Sequence, residues 1–152
     1  MSTRRDMLAA SLRVAGLLVA AGLVPRAALA AWNAAAFEAK TLADATKALG
    51  GSAPAASNAV TITGPDIAEN GAVVPVGCAT TQAGATRLLL LVEKNPNVLA
   101  AVFDLTDAVE PNFNTRVKMS QSSNVYAVAM TGDGKVLFAQ KEIKVTLGGC
   151  GG

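Results

Sequence analysis

Apolar and polar positions change period several times along the chain. Residues 14 to 24 form an uncharged, largely apolar run of 11 residues, flanked by Arg4-Arg5 before it and by Arg26 after it. From Asn33 to Leu49 the apolar positions Ala34, Phe37, Leu42, Ala45, Ala48 and Leu49, with Thr41 in line, fall at helical spacing. That spacing predicts one α-helix, with Asn33 as N-cap and Gly50-Gly51 as its stop. After a short polar linker, Ser52 to Asn58, the period shortens to two. Val60 and Ile62 alternate with threonines, and Val74, Val76 and Cys78 share one face. Arg87 to Val92 and Leu99 to Leu105 are nearly continuous apolar runs. Further strands are predicted at Asn114–Met119, Val125–Met130 and Lys135–Leu147, with turns at Asn70-Gly71, Asn95-Pro96-Asn97, Glu110-Pro111-Asn112 and Gly132-Asp133-Gly134.

About seven short strands with no helix between them predict an all-β fold, an immunoglobulin-like antiparallel β-sandwich. One N-terminal α-helix precedes it and a flexible C-terminal arm follows. Pro75, which lacks an amide donor, is expected at an edge or a bulge. The aromatic side chains are few, Trp32, Tyr126 and four Phe, so the core must come from Val, Leu, Ile and Ala.

The first 30 residues read as a leader. Their apolar run is too short for a bilayer-spanning helix, which needs ~20 residues, and Ala28-Leu29-Ala30 matches a signal-peptidase site. The paired arginines suggest the twin-arginine route and a periplasmic destination. The expected organisation is therefore a signal peptide at 1–30, a helical segment at 31–51, a sandwich at 52–147 and an arm at 148–152. No Cys follows the cleavage site and Cys150 is misplaced for prenylation, so no membrane attachment is expected.

Charge and composition narrow the chemistry. The formal charge is +2, but setting aside Arg4, Arg5, Arg13, Arg26 and Asp6 of the leader leaves 9 basic and 10 acidic residues, a net −1. No basic run remains to neutralise phosphates, which argues against nucleic acid. The sequence contains no histidine, so the usual general base and the commonest metal ligand are missing, and there is no Cys-x-x-Cys pair. No cofactor is implied, and any catalysis must come from partners.

The chemistry that remains is a thiol. Gly148-Gly149-Cys150-Gly151-Gly152 places Cys150 among four glycines. Such neighbours make a thin, mobile tether without side-chain bulk. At ~3.3–3.6 Å per extended residue, three steps past Leu147 carry the thiol roughly 10 Å from the last strand. The tether fits a swinging arm that enters another protein's cleft. An unperturbed thiol, with a pKa of about 8.5, is mostly protonated near neutral pH, so activation is expected from the receiving cleft. Three classes fit the residues: a covalent carrier, a module linked through a disulfide of Cys150, and a thiol enzyme. A staple from Cys150 to Cys78 is the main rival to the carrier, and closing so long a loop could stabilise by ~4 kcal/mol. A thiol peroxidase needs an electropositive pocket that a glycine tail does not supply. Cys78, on the face shared with Val74 and Val76, is expected to pack as a small hydrophobe.

Four segments carry a resemblance to a known family: Ala68-Glu69-Asn70-Gly71-Ala72-Val73-Val74-Pro75-Val76, Asn95-Pro96, Thr115-Arg116-Val117-Lys118, and Val145-Thr146-Leu147 with the Gly-Gly-Cys-Gly-Gly end. Together they resemble SoxY, the sulfur-binding subunit of the thiosulfate-oxidising Sox system. The resemblance implies that Cys150 accepts thiosulfate-derived sulfur as a cysteine S-thiosulfonate and then carries a persulfide, with Gly148, Gly149, Gly151 and Gly152 as the arm. It also implies a SoxZ-like partner subunit. The c-type cytochrome SoxAX, the thiohydrolase SoxB and a sulfur dehydrogenase SoxCD would be transient partners. Cys78 departs from the single-cysteine pattern of that family and leaves an off-pathway disulfide open.

Overall fold

The computed structural model describes Arg4, Met7 and residues 33–147. The chain divides between Trp32 and Asn33, and the helices and strands from Asn33 onward lie in the second unit. The helical segment is two short helices, not the single one that the periodicity predicts. Helix α1 (Ala34–Phe37) is capped by Asn33, whose side chain accepts from the Ala36 N–H. Helix α2 (Leu42–Ala48) is capped by Thr41, whose Oγ1 accepts from the Asp44 N–H. Tertiary bonds break the run between them. The Ala39 carbonyl accepts from the Val98 N–H at 3.2 Å, and Lys40 Nζ donates to Pro96 O and Asn97 Oδ1, both at 2.7 Å.

Nine strands follow among the described residues: β1 (Ala55–Ala56), β2 (Val60–Thr63), β3 (Ile67–Ala68), β4 (Val74–Thr80), β5 (Ala85–Val92), β6 (Leu99–Asp104), β7 (Asn112–Val117), β8 (Ser123–Thr131) and β9 (Val136–Val145). The larger sheet has the order β1-β9-β8-β5-β6, with β3 also on β9, and the smaller has the order β2-β4-β7. The two extra strands, β1 and β3, are two residues each, too short to show a period in sequence. Both run parallel to β9, at Leu137–Phe138 and Lys144–Val145, so the large sheet is mixed where the sequence predicts a purely antiparallel one. Pro75 lies on β4, the middle strand of the small sheet. Strand β2, however, ends opposite Gly77, so at Pro75 the strand has a neighbour only on the β7 side. A residue without an N–H is tolerated at such a local edge.

The run at Leu88–Val92 is continuous because both faces of β5 are buried. Leu88, Leu90 and Val92 pack between the sheets with Val74, Val76, Cys78, Val117, Met119 and Ile143. Leu89 and Leu91 face the other way, against Ala36, Ala45, Val128, Met130 and Val136, where the helices cover the large sheet. Each fully buried leucine contributes about 1.5–3 kcal/mol. The fold is therefore three layers, helices on sheet on sheet. Gly51 lets the helical segment close onto the large sheet, since a Cβ there would collide with the side chains of Val136 and Met130. On the opposite side, the outer face of the small sheet carries Thr61, Thr63, Pro75, Asn112, Asn114 and Arg116, all exposed, with no layer over them among the described residues.

Candidate functional site

The expected site residues Gly148, Gly149, Cys150, Gly151 and Gly152 lie outside the described residues. The frame that launches them is described in full. Strand β9 runs antiparallel to β8 from Val136 to Ile143, and its last residues are tied on both sides. Ser122 Oγ accepts from the Val145 N–H at 2.8 Å. On the other flank the Lys144 N–H donates to Asp66 O and the Thr146 N–H to Ala68 O, each at 3.0 Å. Thr146 Oγ1 donates to Glu69 O at 3.0 Å. Finally the Gly71 N–H donates to the carbonyl of Leu147 at 2.8 Å, and Gly71 O accepts from the Met119 N–H at 2.7 Å. The chain is thus held by hydrogen bonds up to the last residue before the glycines.

The residues that make this clamp follow from local chemistry. Asn70 Oδ1 accepts from the Ala72 N–H at 2.8 Å, an Asx-turn that reverses the chain at Asn70-Gly71 and presents the Gly71 amide to Leu147. Asn95 joins the neighbouring loops: its Nδ2 donates to Lys118 O at 2.7 Å and its Oδ1 accepts from the Ser120 N–H at 3.1 Å. The segments at 68–76, 95–96, 115–118 and 145–147 therefore converge on one end of the sandwich, around the start of the arm. The sequence marks Asn70-Gly71 and Asn95 as turn residues, and the segments that carry the resemblance include them and Thr146, but it announces none of these hydrogen bonds and gives no sign of Ser122. Their work is done through main-chain contacts, which leave no periodic signal.

The described thiol is elsewhere. Cys78 stands mid-strand on β4, paired with Ile62 and Phe113, and is 1% exposed. Burial pushes its thiol up to about 11 from 9.0. From Val74, at the clamp end of β4, four strand residues put Cys78 ~13 Å further along that strand. Any bridge from Cys78 to another thiol therefore requires opening the core around it.

Near the clamp, Asp66 and Lys141 form an ion pair at 2.7 Å, and this lysine's hydrogen bond holds the Asp66 carboxyl below the usual carboxylate range. A cleft of about 390 Å³ opens between α2 and the outer face of the large sheet, lined by Leu42, Leu91, Val98, Tyr126 and Phe138 with Lys40 and Glu93 at its polar edge. The Tyr126 hydroxyl donates to Glu93 Oε1 at 3.3 Å. Burial, and then the neighbouring Glu93 charge, raises the tyrosine's pKa. Among the described residues no group of three or more His, Cys, Asp or Glu is placed to hold a metal ion.

Comparison with solved structures gives a match to the sulfur carrier protein SoxY from Chlorobium limicola f. thiosulfatophilum, with a TM-score of 0.56 and 37% identity, covering 62% of this chain and 84% of that one. Superoxide reductase (neelaredoxin) from Ignicoccus hospitalis matches with a TM-score of 0.51 at 20% identity, over 58% of this chain and 80% of that one, a likeness of fold alone. No curated protein matched by sequence. The two packed sheets, with the match at 37% identity, define a β-sandwich of the kind found in that sulfur carrier protein. Residues 45–150 match the family described as sulfur oxidation protein SoxY. The chain belongs to the SoxY family, carriers in sulfur oxidation and not catalysts.

Proposed function

We propose that this protein carries sulfur intermediates of thiosulfate oxidation covalently on Cys150, with Gly148, Gly149, Gly151 and Gly152 as its swinging arm. In the first step the Cys150 sulfur bonds to the outer sulfur of thiosulfate. The thiol proton leaves, and two electrons pass to a c-type cytochrome of the SoxAX kind. A SoxB-type thiohydrolase then adds water across the bond between that outer sulfur and the sulfonate, releasing sulfate and leaving a persulfide. A SoxCD-type dehydrogenase removes six electrons from the terminal persulfide sulfur and passes them to a c-type cytochrome, three waters supplying the oxygens of the resulting sulfonate and six protons leaving, and a second hydrolysis releases that group as sulfate and restores the thiol. The sulfur bonded to the protein stays the same throughout, as cysteine's oxidation chemistry permits.

The observation that carries this reading is the SoxY match, which extends to Cys150 itself, while the chain's other thiol is sealed in the core. The clamp supports it: hydrogen bonds fix the arm's root, so the freedom of the glycines is spent on the thiol and not on fraying the strand. Residues 1–30 are assigned to a twin-arginine signal peptide, 31–51 to the helical segment, 52–147 to the sandwich and 148–152 to the arm. Among the described residues no helix is long and apolar enough to cross a membrane. The working place is the periplasm, and the stable partner is a SoxZ-like subunit. The test is thiosulfate-dependent reduction of the cytochrome in the presence of the full chain. Cys150→Ser should abolish it, and undiminished reduction by that variant would refute the proposal.

A further inference from the structure

Exposed large hydrophobic side chains are few, and they are not scattered. Of the four among residues 33–147, Ile67 (59% exposed), Val73 (53%) and Leu147 (69%) stand at the arm's root, and only Val109 lies elsewhere. The pairing of the clamp sets the three along one end: Ile67 stands opposite Lys144, three residues before Leu147, and Val73 follows by two residues the Gly71 that bonds Leu147. Residues 66–71 run alongside 144–147, with Gly71 bonded to Leu147 and Ala68 to Thr146, and Ile67 and Val73 flank that contact in sequence. Single exposed apolar residues need no explanation, whereas a group at one functional end does.

We propose that Ile67, Val73 and Leu147 form an apolar collar that docks on the rim of the cleft of each enzyme acting on Cys150. The collar rests on the carrier function proposed for Cys150 and names the surface through which it operates. Arm length sets the requirement. Only three residues separate Leu147 from Cys150 in sequence, a reach of at most ~10 Å. An enzyme whose reacting atoms lie inside a cleft must therefore bring the cleft's mouth against whatever surrounds Leu147. Side chains there are buried in every productive encounter and exposed between encounters. The occupant this chemistry fits is an enzyme surface with an apolar rim around a narrow opening. A modest patch of three side chains suits contacts that must also release, since affinity differences between related complexes lie mostly in how fast they part.

The experiment uses the full chain with its partner subunit, carrying the S-thiosulfonate on Cys150, and a thiohydrolase that cleaves it. KM and kcat are compared for wild type, Ile67→Ser/Val73→Ser and Val109→Ser, with cargo on Cys150 verified by mass. The collar predicts a KM raised about tenfold in the double variant with kcat unchanged, an effect of the size expected from losing ~1.4 kcal/mol of contact. Val109→Ser, on the loop at the far end of the sandwich, should match wild type. An unchanged KM with cargo present overturns the collar alone. So does loss of the partner subunit from the double variant on size exclusion, which would make the patch a subunit interface. Absence of cargo on Cys150 in wild type overturns the carrier reading and the collar with it.

Discussion

Cys78 and Cys150 have the same chemistry and opposite surroundings, and reagents should tell them apart. Cys78 is enclosed by Val74, Val76 and the inner face of β5, and its thiol holds its proton up to about 11. Titration of the native, unreduced protein should give one rapidly reacting thiol and a second only after denaturant; no reactive thiol before reduction would point to a disulfide. The pH dependence has a definite sign. Since the folded pKa of Cys78 lies above the unfolded 9.0, the native state keeps a proton that the unfolded chain loses. This contribution to stability is complete below pH 9 and is lost as pH rises toward 11. In a Cys150→Ser background the urea midpoint should fall across that window, and Cys78→Ala should flatten the fall. Gly77, next to Cys78, has the opposite constraint. It faces outward beneath Thr63 and Asn114, whose side chains would collide with any added Cβ. Gly77→Val should destabilise by about 1–3 kcal/mol in denaturant unfolding.

Among the elements, β9 is the one that leads into the proposed arm, and its clamp is testable without touching residues 148–152. Removing the Asx-turn acceptor with Asn70→Ala should cost about 1 kcal/mol of stability, seen as faster amide exchange at Gly71 while the amides of β5 stay protected. The same element shows what a linear sequence can and cannot convey. Past Ala139 its alternation is legible, as is that of Val60 to Thr63, because one face meets the core and the other does not, whereas Val125 to Met130 is buried on both faces. Leu88 to Val92 is legible as a strand but not as a strand buried on both faces, because a fully apolar run has no period to read. The helical segment has the right spacing throughout, yet breaks at 38–41, where Val98, Pro96 and Asn97 offer tertiary partners that nothing local announces. The arm cysteine stands out by its glycine neighbours. The residues that hold its root, Asn70, Gly71, Ser122 and Thr146, act through backbone bonds between segments far apart in sequence.

At the scale of the whole molecule, the layers divide the work. Helices close one face of the large sheet, the small sheet closes the other, and the hydrogen-bonded end of the sandwich holds the root of the thiol-bearing arm. Hydrogen bonds hold the chain up to Leu147, next to the glycines on which the proposed carrier site lies. The outer face of the small sheet, small and polar around Gly77, remains without a layer of its own. The most direct test of covalent carriage is the intact mass of the full chain after incubation with thiosulfate and the c-type cytochrome, with peptide mapping of the modified residue. Carriage on the arm predicts a single thiosulfate-derived adduct on the peptide containing Cys150, absent from Cys150→Ser. An adduct on Cys78, or equal loading of the serine variant, would contradict it.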